Sequence, residues 1–183
     1  MNIDLTRVIG SAEISVAECI DKRYGTWRVR TDFQPFIDNV TGKEDGVTFI
    51  ETEFPYKPSM NDVKDFVLGV INAKTDAKIL SGFVWQGINV WLSEENQRNF
   101  SEAQRMAEKY GDAVLPLRFK LGEDSEGNPV YHTFETVAEL DAFYTKAFRY
   151  VNQCLNEGWT IKDNFDWSPY EELLPNPDLP VTE

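Results

Sequence analysis

His132 is the single histidine of the chain, so imidazole chemistry is limited here to one proton acceptor or donor acting on a neighbouring group. It stands in the alternating run Val130-Tyr131-His132-Thr133-Phe134. On a strand it shares neither face position with Tyr131 nor with Thr133, and the plainer reading is a sheet-face histidine. The two cysteines, Cys19 and Cys154, lie far apart without CxxC spacing, and HExxH does not occur, so no metal site and no cofactor are expected. GxGxxG, GxxxxGK[ST] and GxSxG are also missing, which removes the common phosphate cradles and the hydrolase elbow. Carboxylates are plentiful. Glu94-Glu95 and Glu171-Glu172 have the residue types for general acid-base work, but the first pair follows Ser93, where acids serve a helix dipole. The acidic loops Asp38 to Gly46 and Glu123 to Asn128 lack the alternating ligand order of a calcium loop and read as turns.

Aromatic residues offer a second kind of chemistry, stacking. Five tryptophans are generous for this length, and Phe83, Trp85 and Trp91 sit where a hairpin would carry them on or near one face. They are either core under helices or a platform for a sugar or a partner's side chain, and the sequence leaves both readings open. Ser93 is a good helix N-cap, and Gln97 and Asn99, on the early turns of that helix, are placed to bond the hairpin backbone. The candidate binding residues are therefore Trp85, Trp91, Ser93, Gln97, Asn99 and His132, with no catalytic residue among them.

The elements that position these residues follow from periodicity. Ser59 caps a helix with Met60, Val63, Phe66, Val67, Val70 and Ile71 at helical spacing, running toward Gly82, and Gly69 marks a close packing point. Phe83 to Leu92 alternates around Gln86-Gly87 as a compact hairpin. Ser93 opens a second long helix that stops at Gly111. A second hairpin pairs Leu115 to Leu121 with Val130 to Phe134. The capping box Thr136/Glu139 opens a third helix, with Leu140, Phe143, Tyr144, Ala147, Phe148, Val151 and Leu155 as its apolar stripe and Gly158 as its end. Upstream, Ser15 and Glu18 form a capping-box pattern that predicts a short helix, and Trp27 to Phe33 with Val47 to Glu51 predict paired strands. The expected class is α+β: antiparallel sheet from hairpins, three main helices in the order helix-hairpin-helix-hairpin-helix, and a small N-terminal helix and β segment. Pro55-Tyr56-Lys57-Pro58 predicts a boundary between a module at 1–54 and a main domain at 55–167, followed by an extended acidic proline-rich tail at 168–183. Leu173, Leu174 and Leu179 in that tail have the look of an extended docking ligand.

The chain carries 31 acidic and 18 basic residues for a formal charge of -13, so nucleic acid and anionic membrane are poor partners; the plainer reading of the acidic balance is a solvated surface, the alternative one that steers a basic partner. No segment approaches the roughly 20 apolar residues of a membrane span, and the N-terminus lacks a positive n-region, so the expected compartment is the cytoplasm.

The residues from Val63 to Leu68, Ile79-Leu80-Ser81-Gly82-Phe83-Val84-Trp85-Gln86-Gly87 and Val90-Trp91-Leu92-Ser93-Glu94-Glu95-Asn96-Gln97-Arg98-Asn99-Phe100 resemble a domain of unknown function found in bacteriophage and prophage tail, tail-fibre and fibre-assembly proteins. Ser93, Gln97 and Asn99 carry most of the likeness, which covers Pro55 to Trp167, and the Trp residues and second hairpin resemble a subgroup from gut Bacteroidetes. The resemblance implies a non-enzymatic structural or assembly module that binds a tail or tail-fibre protein, in the cytoplasm or on the virion. The alternative is a small-molecule or glycan-binding protein, or a carboxylate-dependent enzyme, using the Trp-rich hairpin.

Overall fold

A computed structural model describes residues 3–174. Eight strands and four α-helices follow one another as β1 (Val8–Gly10), β2 (Ala17–Asp21), β3 (Thr26–Ile37), β4 (Glu44–Phe54), α1 (Met60–Ser81), β5 (Phe83–Trp85), β6 (Ile88–Val90), α2 (Glu94–Tyr110), β7 (Leu117–Glu123), β8 (Pro129–Phe134), α3 (Val137–Asp163) and α4 (Ser168–Leu173). All strand pairing is antiparallel, and the class is α+β as expected. The described chain condenses into two units, residues 3–73 with 161–174 and residues 74–160, which divide within α1 and α3. Among the described residues no helix is long and apolar enough to cross a membrane.

In the first unit the order β1-β4-β3-β2 makes a four-stranded sheet. The predicted pairing is present, with Trp27 opposite Phe54, Val29 opposite Thr52 and Thr31 opposite Ile50. Ala17, Val29, Ile50 and Phe54 join Val63, Phe66, Val67 and Val70 of α1 in one apolar core. On neighbouring strands, Arg30 lies opposite Glu51 and Arg28 opposite Glu53, a charged pairing that fixes register. Arg30 is only 2% exposed. Its guanidinium bonds Glu51 at 3.0 Å, the Ser15 carbonyl at 3.0 Å and Glu18, and it lies 5.3 Å from the Phe49 ring centre.

That arginine explains one correction. The short helix expected from Ser15 and Glu18 is absent, and residues 17–21 form the edge strand β2. Glu18 is held across the ladder by Arg30, and the Ser15 hydroxyl donates to the Ala17 carbonyl at 2.8 Å. The local capping pattern is real, but a nonlocal charge partner outcompetes it. A second correction concerns the tail: residues 168–173 are α4, not extended chain, with Tyr170 and Leu174 buried in the first core. The Tyr170 hydroxyl donates to the Arg30 carbonyl at 2.6 Å. Leu174 is therefore core, Leu173 is exposed, and the expected ligand residue Leu179 lies outside the described residues.

The second unit contains both hairpins. Gln86 and Gly87 both adopt positive φ, 49° and 83°, the arrangement of a tight two-residue hairpin turn. The hairpins meet edge to edge through the Trp91 amide, which donates to the Leu121 carbonyl at 2.7 Å. Gly122 permits this approach, since a Cβ there would sit 2.5 Å from the Asn89 carbonyl oxygen. Phe83, Trp85, Val90 and Leu92 then form a core with Phe100, Ala103 and Ala107 of α2 and Leu140, Phe143, Ala147 and Cys154 of α3.

α1, α2 and α3 match their expected starts. The Ser59 hydroxyl accepts from the Asp62 amide at 3.2 Å while Asp62 accepts from the Ser59 amide at 2.8 Å, and Thr136 accepts from Glu139 at 3.2 Å. Gly69 does lie against a close neighbour, Ile3. Gly158, expected as the end of α3, is instead a buried interior residue, and the helix continues to Asp163. A Cβ at Gly158 would lie 2.6 Å from Thr75 Oγ1, so the glycine serves close helix packing, not termination. The acidic loops are turns. Asp38 accepts from the amides of Val40 and Thr41, and Asp124 from those of Glu126 and Asn128, at 2.6–3.0 Å. These amide bonds hold both carboxyls below the usual range, those from Thr41 and Asn128 contributing most.

Gly122→Ala is expected to lower the unfolding free energy by about 1–3 kcal/mol, because the obstructing atom is backbone that cannot rotate away. Urea denaturation of the full chain checks this, and an unchanged midpoint would contradict the close approach of the two hairpins.

Candidate functional site

The site begins at the chain between β6 and α2. Trp91 and Leu92 leave the hairpin extended, and Ser93 caps α2 by accepting from the Asn96 amide at 3.2 Å. Two side chains of the first helical turn reach back to the same segment. Gln97 donates to the Leu92 carbonyl at 2.7 Å and Asn96 to the Trp91 carbonyl at 2.8 Å. The Leu92 amide donates to the Leu80 carbonyl at the end of α1 at 3.2 Å. This segment is thus tied to α1, α2 and the second hairpin at once.

Beside it lies a cavity of about 400 Å³, lined by Asp76, Ile79 and Leu80 from α1, Leu92, Ser93, Glu94 and Gln97 around the cap, and Val151 and Leu155 from α3. Ile79 and Leu92 are its buried lining residues, whereas Leu80 is 45% exposed. Its charged members are both acidic, Asp76 and Glu94, and both are exposed. Neither has an ion-pair partner among the described residues, while nearby Lys78 is paired with Glu157. Such a lining suits contact with hydrocarbon and attraction of cations.

Of the residues singled out from sequence, Ser93 and Gln97 meet in this cavity. Trp91 joins them through its backbone, and its ring is 38% exposed with Lys120 Nζ 5.3 Å from the ring centre. Asn99 is exposed, and the reach to the hairpin expected of it is made by Asn96. Trp85 is core: 6% exposed, packed edge-on against Phe143 at 5.4 Å, with Lys146 Nζ 5.1 Å from its ring centre. A ring so buried presents no stacking face. Its indole nitrogen is buried without a hydrogen-bond partner among the described residues. His132 Nε2 lies 2.9 Å from Glu139 Oε1, and its ring packs on Phe134 at 4.6 Å. Glu139 also accepts from the Glu135 amide at 3.2 Å, so the histidine belongs to the start of α3. The walls supplied by Leu80, Val151 and Leu155 were not singled out from sequence. For Val151 and Leu155 a signal existed in the width of the α3 apolar stripe, which exceeds what one core face requires.

Tyr150 stands near the same end of α1 and donates to the Lys78 carbonyl at 2.9 Å. Partial burial, the Cys154 thiol and the charge of Glu157 push its phenol up to about 12. Tyr170 is also raised, by burial.

The family model described as a domain of unknown function (DUF4376) matches residues 62–175. The chain belongs to this family. The matched DUF4376 span contains the cavity and every residue that lines it, and it leaves out the strands of the N-terminal sheet. No curated protein and no solved structure matches the chain.

Two outcomes follow for the DUF4376 span. Trp85→Ala is expected to cost about 3–5 kcal/mol, as truncation of a core aromatic does, and Trp91→Ala no more than about 1 kcal/mol. Denaturant midpoints check this, and equal losses would contradict the separation of the two rings. For the phenols, the folded state keeps the Tyr150 proton above the ordinary value of 10.0 that the unfolded chain follows. The associated stability is full below that value and is lost as pH rises toward 12. Absorbance at the phenolate band should show Tyr150 and Tyr170 ionising above the ordinary value, with Tyr150→Phe deleting one of these late steps. Late steps of unchanged amplitude in Tyr150→Phe would contradict the environment of Tyr150.

Proposed function

We propose that this chain is a non-enzymatic structural or assembly module of a phage or prophage tail, acting in the cytoplasm or on the virion by binding a protein partner, a tail or tail-fibre component. The observation that carries partner binding is the open cavity beside the α2 cap. Its walls are aliphatic, its charges are two acids without ion-pair partners among the described residues, and it gathers Ser93 and Gln97. Walls of this kind favour the side chains of another polypeptide over a polar metabolite. Support for the tail setting comes from the resemblance carried by Val63 to Phe100, within which the buried lining residues of the cavity and its cap lie. The formal charge of -13 speaks against nucleic acid or an anionic membrane as the ligand. A glycan platform on the Trp-rich hairpin would need Trp85 as an open face, and that ring is buried.

Calorimetric titration of the full chain with purified tail and tail-fibre proteins encoded at the same locus tests the reading. Saturable heat with Kd at or below tens of micromolar, a binding free energy of about 6 kcal/mol or more, is the expected result. No binding to any of them at that concentration would overturn it.

A further inference from the structure

We infer that the cavity and the exposed ridge of α3 beside it form one docking face, and that its occupant is a basic amphipathic helix; this rests on the partner-binding reading above. The ridge is Tyr144, Phe148, Val151, Leu155 and Trp159. At about 100° per residue these five side chains fall within roughly 80° of the helix circumference. They lie beside the core face made by Leu140, Phe143, Ala147 and Cys154, not on it. Phe148 is 60% exposed and Trp159 49%, while Tyr144, Val151 and Leu155 are packed partly against the core. Val151 and Leu155 are also cavity walls, so ridge and cavity are continuous, with Leu80 as the opposite lip. From Phe148 to Trp159 the ridge runs about 16 Å, three helical turns. An apolar strip of that length and period is matched by a helix presenting aliphatic residues at i, i+3 or i+4 and i+7.

Charge selects among occupants. Asp76 and Glu94 border the apolar strip without ion-pair partners among the described residues, and Lys146 and Arg149 point off the ridge by the same helical arithmetic. A second copy of a chain with formal charge -13 is repelled by such a border, whereas lysines and arginines flanking a leucine-rich stripe are attracted. The partner segment is therefore cationic on its polar face and aliphatic on the other.

The probe is a fluorescent helix-forming peptide of about fourteen residues, four turns, with leucines on one face and lysines on the other. Two comparison peptides accompany it, one of the same composition in scrambled order and one with glutamate for lysine. Anisotropy with the full chain is expected to show saturable binding of the Leu/Lys peptide, at least about tenfold tighter than the scramble. Asp76→Lys with Glu94→Lys should weaken it about tenfold or more and admit the Leu/Glu peptide. Leu80→Ser with Phe148→Ser, both exposed positions, should weaken it similarly. Glu13→Lys with Asp45→Lys, the same charge change at exposed sites in the other unit, should leave it within about twofold. Circular dichroism and melting confirm that each variant is folded. Equal binding of the scramble, equal loss in the remote charge variant, or a dimer in sedimentation that Phe148→Ser abolishes would each overturn the inference. If a tail protein binds the wild type and the Leu80→Ser/Phe148→Ser variant equally well, the docking face is wrong and the partner-binding function stands. If no tail protein binds while the Leu/Lys peptide remains selective, the tail setting is wrong and the docking chemistry stands.

Discussion

Leu92 is the residue on which the 74–160 unit turns. It is 1% exposed, so both of its backbone polar groups must find partners away from water, at a penalty of about 1–3 kcal/mol for each one left unmade. The amide finds the Leu80 carbonyl and the carbonyl finds Gln97. Its neighbours are bound in the same way, Trp91 to Leu121 and to Asn96, and Ser93 to the Asn96 amide. These bonds can all form only if the end of α1, the second hairpin and the first turn of α2 converge on one short segment. The cavity lies at this convergence, lined by the end of α1, the α2 cap and α3.

The N-terminal unit obeys a different constraint. A guanidinium taken out of water is tolerated when its nitrogens are met, and each nitrogen of Arg30 has a partner, two carboxylates and a carbonyl, with Phe49 beneath. That demand recruits Glu18 from β2 and Glu51 from β4, and the Arg30 carbonyl in turn receives Tyr170 from α4. One buried charge thus ties down the edge strand, while the backbone at the same residue anchors the last helix.

What was legible in the sequence is what short-range chemistry decides. The three long helices, their caps and the tight first hairpin were readable because Ser59, Ser93, Thr136 and Gln86-Gly87 act on residues within a few positions. Ser15 and Glu18 misled because the same residue types serve a cap or a cross-strand ion pair, and only Arg30, 12 residues away, decides between them. Gly158 misled because a helix interior and a helix end both use glycine, and the deciding neighbour, Thr75, is remote in sequence. For the site, Ser93 and Gln97 were visible through cap chemistry and resemblance. Leu80, Val151 and Leu155 were hidden among core residues, since periodicity identifies an apolar face without saying what covers it.

The cleft beside the α2 cap joins aliphatic walls to two acids that have no ion-pair partner among the described residues, and this combination is the physical content of the functional reading. The most direct measurement is amide hydrogen exchange on the full chain, alone and with a bound tail or tail-fibre protein. Docking in the cleft predicts slower exchange at 76–80, 92–97 and 148–159, with the sheet of residues 8–54 unchanged. Protection confined to that sheet, with the three cleft segments exchanging as in the free chain, would contradict it.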